Sequence, residues 1–366
     1  MIVDDRRGRS RGNLATLRPS LRDLQWRRRR FAVAVVGAGM LFGLTLSTTG
    51  ISSGFGVEVD RTVRQLRVDQ WIVHRGAVGP FLGSSPMAAS RLDDVAHLPG
   101  ITRAVDTVYT RKDITTGGDP KDVNVFGAPA GTLAMPAVSS GRAPARAGEI
   151  AISTKLDYPI GARLVLAGHP FTVVGKVSLS TALAGVPNVF LTLPDAQLVA
   201  FNGKPVASAI AVRGNVRRND LPPDLAVVSN HAARDDLLRA LKQARASIYL
   251  TAALSWLVAA MIIGSVIYLS VIERLRDFAV FKAIGVSTRS ILGGLAIQAV
   301  LLSIGAAVIG SGVAAVLGPN LSLPVSISWR AYLLLPVIAV VVGLLASIAG
   351  LRRAVTVDPA TAFGGP

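Results

Sequence analysis

The chain has 366 residues, of which 51% are hydrophobic and 17% are charged, and its mean hydropathy is +0.49. Soluble domains carry about 25% charged residues, so this composition excludes a wholly soluble protein. The chain contains no cysteine, which excludes disulfide frameworks, thiolate metal sites and cysteine nucleophiles. The net charge is +17, and ten of the 39 basic residues lie within the first 30 positions. Nucleic-acid-binding proteins spread their basic residues over a folded polar surface, so we expect no nucleic acid partner.

Long uncharged runs predict four transmembrane helices, because one charged side chain at the bilayer centre costs about 2.5–3.5 kcal/mol. Two runs contain 27 uncharged residues each, and a third contains 40, which is too long for one span. Gly318-Pro319 is expected to end the helix of the third run at about residue 317, because proline lacks the N–H that a helix interior needs. The predicted spans and the loop before the last one are TM1 (31–57), TM2 (246–272), TM3 (290–317), the external loop 318–330 and TM4 (331–351).

The distribution of arginine predicts the orientation, since cytoplasmic segments of membrane proteins are enriched in Lys and Arg. Residues 1–30 hold ten arginines and three aspartates, so this basic N-terminus is expected in the cytoplasm. Thirty residues before the first apolar run favour an uncleaved anchor over a signal peptide. The prediction is a multi-pass plasma-membrane protein with 58–245 outside, and with 273–289 and the 352–366 tail inside.

The 58–245 segment is predicted to be an extracytoplasmic α+β domain in two lobes, carried on stalk helices. Residues 56–68 and 231–246 have helical spacing, and we expect them to continue the first two spans without a break. A short helix is expected after Ser90 as its N-cap. A β-hairpin is expected over 162–177, with its turn at Gly168-His169-Pro170. The fold class is therefore an α-helical membrane protein with four transmembrane helices and an α+β domain between the first and second.

The sequence shows no recognisable catalytic or metal site. The four histidines are scattered, and neither G-x-S-x-G nor the phosphate-binding G-x-x-x-x-G-K-[ST] occurs. We therefore expect no enzyme, no metal and no nucleotide in this chain. The acidic pairs Asp93-Asp94 and Asp235-Asp236 stand on predicted helices, where both are expected to be solvated.

The predicted spans hold no charged residue, so they show no proton relay or ion site. Gln298 is one of their few larger polar side chains, and an interhelical hydrogen bond or a cap is its expected role. Gly39-x-x-x-Gly43 and Gly50-x-x-x-Gly54 permit close helix contact, and a dimer face is one interpretation of them.

The segment ERLRDFAVFKAIGVSTRSI (273–291) predicts a short amphipathic helix at the membrane surface, ended by Gly285, with Ser287 or Thr288 capping the next span. It resembles the signature E-R-x-x-E-[FI]-A-[VI]-L-K-A-[IL]-G-A-S of the FtsX/MacB/LolC-like permeases of ABC transporters. Asp277 stands at the second Glu of that signature, and Phe281 stands at its usual Leu. The tail RAVTVDPATAF and the order of spans also resemble this family, in its DevC-like, actinobacterial type.

The resemblance implies a permease that pairs with a second copy or a paralogue, and with a cytoplasmic ABC ATPase that binds ATP and Mg²⁺. No cofactor is then expected in this chain, and membrane lipid and a periplasmic adaptor are further partners to consider. The amphipathic segment would be the coupling helix, whose residues are Glu273, Arg274, Asp277, Phe278, Phe281, Lys282, Ala283, Ile284 and Gly285.

The resemblance further implies mechanotransmission, in which ATPase closure moves the stalks and drives export or extraction at the outer face. Two alternatives stay open. One is an FtsX-like regulator of cell-wall hydrolases, which the 188 residues of the 58–245 segment disfavour. The other is an importer permease for an amino acid such as glutamine, which the four predicted spans disfavour.

Overall fold

The structure, a computed structural model, describes residues 28–116, 119–273, 277, 280, 287–321 and 323–355. The chain divides into two compact units. The helical unit holds the described residues up to Ser52, the residues Ala246–Leu321 and those from Val325 onward. The sheet unit holds Ser53–Arg245 and Ser322–Pro324.

Long apolar helices make up the helical unit. They are α1 (Arg28–Gln65), whose last part belongs to the sheet unit, α5 (Lys242–Ile272), α6 (Thr288–Asn320) and α7 (Trp329–Val355). Among the residues searched, three helices are long and apolar enough to cross a membrane, over Arg29–Gln65, Lys242–Ile272 and Leu292–Gly318. α7 is apolar over Trp329–Leu345, and its role as a fourth span stays a prediction.

Three threonines in the apolar part of α1 satisfy their hydroxyl groups within the helix. The Oγ1 atoms of Thr45, Thr48 and Thr49 donate hydrogen bonds of 2.7–2.9 Å to the carbonyl oxygens four residues earlier. Such bonds remove the cost of an unpaired hydroxyl in an apolar environment. α1 can therefore carry these polar residues and still have the hydropathy of a membrane span.

Glycines bring α1 and α6 into close contact within one chain. A Cβ added to Gly39 would lie 2.8 Å from the Ile309 side chain, and one added to Gly43 would lie 2.7 Å from the Val313 side chain. A Cβ added to Gly310 of α6 would lie 2.8 Å from the Cβ of Phe42. The Gly39-x-x-x-Gly43 pattern thus packs helices of the same chain, and its interpretation as a dimer face is wrong. Only glycine lets two helix backbones approach this closely.

The ends and polar groups of α6 differ in part from the sequence prediction. Ser287 caps the helix as predicted, since its side chain accepts a hydrogen bond from the backbone N–H of Ser290. The helix ends at Asn320 and not near residue 317. Pro319 stands in the last turn and is followed by one helical residue, so little helix remains for it to interrupt. Gln298 is buried, and its Nε2 has no hydrogen-bond partner among the described residues, so the predicted interhelical bond is not formed by that atom.

The sheet unit is built on one long mixed sheet with short helices. Strand order is β13-β1-β12-β3-β4-β10-β6-β8-β5, with β7 paired to β3 and β8, β9 paired to β10, and β2 paired to β11 separately. The strands of the described residues are β1 (Gln70–His74), β2 (Met87–Ala88), β3 (Ile101–Thr115), β4 (Lys121–Ala128), β5 (Ser140–Gly141), β6 (Glu149–Ser153), β7 (Arg163–Leu166), β8 (His169–Val177), β9 (Thr181–Ala182), β10 (Val186–Thr192), β11 (Val206–Ala207), β12 (Ala209–Gly214) and β13 (Leu225–Ser229). The short helices are α2 (Arg91–Ala96), α3 (Leu193–Phe201) and α4 (Asn230–Arg239).

The 15-residue strand β3 joins the two halves of this sheet. Its first half pairs with β12, up to Thr107, and its second half pairs with β4 from Val108 onward. Each half covers its own hydrophobic cluster, one with Ile72 and Ile210 and the other with Ile150 and Val189. The α+β class is confirmed, but the clusters do not follow the predicted lobes, because β4 packs with the later strands and β12 and β13 complete the other cluster.

Three local predictions in the sheet unit need correction. The hairpin of β7 and β8 exists, but its turn is Ala167-Gly168, whose φ angles are +49° and +85°. Such a two-residue turn matches the strand twist, and Pro170 then lies within β8. Ser90 precedes α2 without making a side-chain cap bond, because its backbone is already helical. The second stalk is interrupted at residues 240–241, between α4 and α5, so the expectation of one unbroken helix over 231–246 is wrong.

Candidate functional site: the stalk attachments of the sheet unit

The predicted ATPase-coupling residues are described only in part. Seven of them lie outside the described residues: Arg274, Phe278, Phe281, Lys282, Ala283, Ile284 and Gly285. Asp277 is helical and exposed. Glu273 accepts from Arg30, with 3.1 Å between Oε1 and Nη1, and Arg30 also donates to the carbonyl oxygen of Val266. The start of α1 is thus bound to the end of α5, while the coupling role of the segment stays a prediction.

The last turns of α1 carry a polar stripe into the sheet unit. Glu58, Thr62 and Gln65 are spaced i, i+4 and i+7, which places them on one face of the helix. Glu58 Oε1 accepts from the backbone N–H of Gly185 at 2.8 Å, and Thr62 Oγ1 donates to the carbonyl oxygen of Thr181 at 2.7 Å. Gln65 Nε2 donates to the carbonyl oxygen of Ser178 at 3.1 Å. This face therefore binds one segment, residues 178–188, which contains β9 and the start of β10.

A buried polar network extends from this stripe to the centre of the sheet. Asn188 Nδ2 donates to Thr62 Oγ1 and to Ser180 Oγ, at 3.2 and 3.1 Å. Asn124 Nδ2 donates to Asn188 Oδ1 at 3.0 Å, and the hydroxyl of Tyr109 donates to Asn124 Oδ1 at 3.1 Å. All five side chains are buried. Because an unpaired buried polar group is costly, such a network allows few alternative positions for the helix.

The 178–188 segment contains a strained turn that this attachment holds in place. Leu183, Ala184 and Gly185 have consecutive positive φ angles of +55°, +68° and +87°. A left-handed conformation costs about 1–2 kcal/mol for each residue other than glycine. Glu58 binds the N–H of Gly185 and Lys155 Nζ binds its carbonyl oxygen at 2.8 Å. The turn is therefore stabilised by a carboxylate of the stalk and a cation of the sheet unit.

α4 is attached to the sheet unit by Asp236, which is fully buried. Its two carboxylate oxygens accept from the backbone N–H groups of Phe81 and Gly83, both at 2.8 Å. A Cβ at Gly79 would lie 2.4 Å from Asp236, so the loop approaches closely because it has glycine there. Burial raises the pKa of Asp236, and the backbone donors oppose that rise. The expectation that the Asp235-Asp236 pair is solvated is wrong for Asp236.

α1 and α4 also bind each other within the sheet unit. Arg234 Nε lies 2.7 Å from Asp60 Oδ1. Close by, Asn230 at the start of α4 accepts from Trp71 Nε1 at 2.9 Å and donates to the carbonyl oxygen of Val68 at 2.6 Å. Val68 lies three residues after the end of α1, so α4 contacts the chain where it leaves α1.

Contacting aromatic rings connect the two attachments. Phe81, whose N–H binds Asp236, contacts Trp71 and Tyr109 edge-on, with ring centroids 5.1 and 5.4 Å apart. Tyr109 contacts Phe126, which stacks on Phe190. Tyr109 also belongs to the polar network, and burial raises the pKa of its hydroxyl. Interiors packed this densely transmit strain, so a displacement at one attachment is expected to reach the other.

A second buried carboxyl, Asp106, lies elsewhere on β3. It shares a sheet face with Ala104 and Val108, and therefore lies between the two hydrophobic clusters. Only 3% of the residue is exposed, and its Oδ1 has no hydrogen-bond partner in the described structure. Burial, with Asp93 of α2 as a nearby like charge, raises its pKa from 3.8 to about 7.

Known proteins identify the family of this chain. The family described as FtsX-like permease C-terminal matches residues 249–359. An uncharacterized ABC transporter permease of Mycobacterium tuberculosis is 48% identical over 347 residues, which cover 95% of this chain and 99% of that protein. The chain belongs to the FtsX-like ABC transporter permeases. A second M. tuberculosis permease is 46% identical over the same shares. The FtsX/MacB resemblance and the membrane location of the permease are thus confirmed.

More distant likenesses concern parts of the permease. The pyoverdine export ATP-binding/permease protein PvdT of Pseudomonas fluorescens is 29% identical over 227 residues, covering 56% of this chain and 35% of that protein. The extracellular domain of the transporter YknZ matches 44% of this chain and 99% of its own, with 12% identity and a TM-score of 0.32. The periplasmic region of MacB from Actinobacillus actinomycetemcomitans matches 48% and 96%, with 11% identity and a TM-score of 0.33. The family assignment rests on the full-length relatives.

The stalk attachments were not found from the sequence of the permease. The spacing of Glu58, Thr62 and Gln65 was a visible signal, since these three polar residues fall on one face of α1 beyond its uncharged run. Asn124, Asn188 and Asp236 gave no such signal, because their partners are distant in the chain.

Proposed function

We propose that this permease couples ATP hydrolysis by a separate cytoplasmic ATPase to the export or extraction of a substrate at the outer face of the membrane. The sheet unit is the part that acts on the substrate side, and the stalk segments transmit the movement. The 273–285 segment is the docking helix for the ATPase, and a second permease copy or a paralogue completes the assembly.

The continuity of α1 is the observation that carries this proposal. The helix has 38 residues, which corresponds to about 57 Å at 1.5 Å per residue. A hydrocarbon core is about 30 Å thick, so the helix is longer than a span requires. Its last turns bear Glu58, Thr62 and Gln65, which are bound to the 178–188 segment. A continuous helix with fixed attachments supports transmission of movement, whereas a flexible loop would absorb it.

Three relatives support the class of activity. The M. tuberculosis proteins are ABC transporter permeases, and such systems use an ATPase partner. The name of PvdT states export, and that protein combines ATP-binding and permease functions. This chain has no G-x-x-x-x-G-K-[ST] sequence, so we infer that a separate chain supplies the ATPase.

The test is to interrupt α1 with a flexible insertion and to follow the sheet unit as the ATPase binds nucleotide. The native chain has no cysteine, so spin labels can be placed on Ser140→Cys and Met261→Cys, which are both exposed positions. In the complete complex, a non-hydrolysable ATP analogue should change the distance between the labels. A Gly-Ser-Gly-Ser insertion after Phe55 should abolish this change while ATPase binding is retained.

The matched control is the same insertion after Gly131, where an added side chain would meet no atom within 4 Å. That variant should keep the nucleotide-dependent change in distance. A distance change that persists after the insertion at Phe55 would show that α1 is only a tether, and the mechanical proposal would then fail.

A further inference from the structure

The helical unit contains an open groove between α1 and α5, at the end where α1 begins. Its volume is about 560 Å³. The groove has two arginines at one end and apolar residues along the rest, and its main lining residues are Arg29, Arg30, Val33, Gly37, Ile262 and Val266. This groove is separate from the stalk attachments, which belong to the sheet unit.

The spacing of the lining residues gives the groove a direction along the helices. Arg30, Val33 and Gly37 are spaced i, i+3 and i+7 on α1, so they share one face. From Arg30 to Gly37 the helix rises about 10 Å. The groove therefore extends from a charged end for about 10 Å along apolar helix surface. Val33 is 74% exposed, which leaves the side of the groove accessible.

Gly37 keeps the groove open beside α5. A Cβ at this position would lie 3.9 Å from Ile262 Cδ1, which is an ordinary contact distance. Alanine would therefore fit, whereas a leucine side chain would extend into the groove. A Gly37→Leu substitution can therefore fill the groove without moving the backbone of either helix.

The charged end has a fixed and an exposed arginine. Arg30 donates to the carboxylate of Glu273 and to the carbonyl oxygen of Val266, and so holds α1 to α5 at this point. Arg29 is exposed beside it. An anionic group at Arg29 would therefore lie next to the apolar part of the groove.

We propose that this groove binds one anionic phospholipid from the leaflet in which α1 begins. Its phosphate would bind Arg29, and one acyl chain would lie along Val33 and Gly37. The charge at one end and the apolar surface beyond it match both parts of such a molecule. Basic residues at a membrane surface attract anionic lipids. A soluble anion would use only the charged end. This proposal does not depend on the direction of transport or on the ATPase.

Native mass spectrometry of the full chain tests the proposal. The chain is reconstituted in nanodiscs with equal parts of phosphatidylglycerol and phosphatidylcholine, then released, and the retained lipids are counted. We expect one retained phosphatidylglycerol per chain. Arg29→Gln should lower its retention about fivefold and leave that of phosphatidylcholine unchanged. Gly37→Leu should remove the retained lipid, whereas Gly37→Ala should keep it.

Matched controls lie elsewhere in the helical unit. Arg330→Gln removes an exposed arginine next to Trp329, and Gly312→Leu adds a side chain where nothing lies within 4 Å. Both should retain phosphatidylglycerol like the unmodified chain. If Arg29→Gln and Gly37→Leu both retained phosphatidylglycerol as well as the unmodified chain does, the proposal would be overturned.

A cysteine in the groove provides a second measurement that does not depend on the leucine variant. Maleimide labelling of Val33→Cys should be slowed by phosphatidylglycerol and not by phosphatidylcholine. Labelling at the same rate with both lipids would contradict the proposal. Disulfide formation between two copies at Val33→Cys, unaffected by phosphatidylglycerol, would identify a second copy of the chain as the occupant and would also overturn it.

Discussion

Asp106 and Asp236 are both buried carboxyls, but their surroundings give them different roles. Asp236 accepts two backbone N–H bonds, so its ionised form is stabilised where it lies. Oδ1 of Asp106 has no such donor among the described residues, and Asp93 is close enough to disfavour a second negative charge. We therefore expect Asp236 to hold the 79–83 loop through these two bonds, although burial still raises its pKa, and Asp106 to be tolerated best when it is protonated.

Asp106 should make the stability of the sheet unit fall as the pH rises. Its pKa is raised from 3.8 to about 7, so the folded state holds the proton more tightly than the unfolded state. Below pH 4, Asp106 therefore contributes up to about 4 kcal/mol to the free energy of unfolding. That contribution is lost between about pH 4 and pH 7. Asp106→Asn should remove this loss, which the thermal unfolding midpoint of the full chain in detergent at pH 4 to 8 would measure.

The control for this prediction is Asp113→Asn, which changes an exposed carboxyl on the same strand. Its pH profile should follow that of the unmodified chain. If Asp106→Asn also leaves the profile unchanged, Asp106 is ionised in the folded protein and the prediction is wrong.

Replacing Asp236 by alanine should destabilise the attachment of α4. The change leaves the N–H groups of Phe81 and Gly83 without their acceptor in a buried place, which costs about 1–3 kcal/mol for each group. In a domain of this size 1 kcal/mol shifts the midpoint by about 2–4 °C, so we expect the unfolding midpoint to fall by about 4–24 °C. Asp235→Ala is the control, because the Asp235 side chain is 57% exposed. Similar shifts in both variants would contradict the proposed role of Asp236.

Neighbouring residues of one helix show how far the sequence could predict these sites. Asp235 and Asp236 have the same residue type and adjacent positions, and the helical pattern alone does not distinguish them. Burial of Asp236 is decided by the 79–83 loop, which is more than 150 residues away in the chain. In contrast, Ser287 could be predicted as a cap because its partner is three residues away.

At the level of elements, local pattern predicted the long helices and the β7–β8 hairpin, and tertiary contacts explain where it failed. The β7–β8 hairpin follows from alternation around a Gly-containing turn. The break between α4 and α5 was not predictable, because residues 239–242 contain no glycine or proline. α4 buries Asp236, Leu237 and Leu238 within the sheet unit. α5 is uncharged from Ala246 onward, so the two helices are stabilised by different surroundings.

The 273–285 segment should determine binding of the ATPase. Arg274→Glu and Asp277→Lys reverse charges of a helix that is predicted to lie at the membrane surface, where they can reach a soluble partner. We expect at least a tenfold loss of the ATPase that co-purifies, which corresponds to about 1.4 kcal/mol, and normal insertion into the membrane. Co-purification is measured from detergent extracts with a tagged permease.

Lys204→Glu is a control for this experiment, because it reverses an exposed charge in the sheet unit. It should leave the amount of bound ATPase unchanged. Unaltered co-purification in both Arg274→Glu and Asp277→Lys would remove the coupling assignment from this segment.

At the level of the whole molecule, the division into a helical and a sheet unit followed from charge and hydropathy. The uncharged runs locate the long helices, because a bilayer penalises charge over a length of about 20 residues. The packing among these helices could not be predicted from the sequence. The Gly39 and Gly43 pattern fits a contact within the chain and a contact between copies equally well. The structure decides between them through Ile309 and Val313.

Single cysteines on either side of the membrane test the predicted orientation of the permease. Ten arginines in residues 1–30 predict a cytoplasmic N-terminus, and one crossing by α1 then places the sheet unit outside. Single cysteines at Ser140 and Ser287, both exposed, report on the sheet unit and on the segment before α6. In intact cells a membrane-impermeant maleimide should label Ser140→Cys and spare Ser287→Cys, and opening the cells should make both reactive. Labelling of Ser287→Cys alone in intact cells would show the opposite topology, because the two positions are predicted to lie on opposite sides of the membrane.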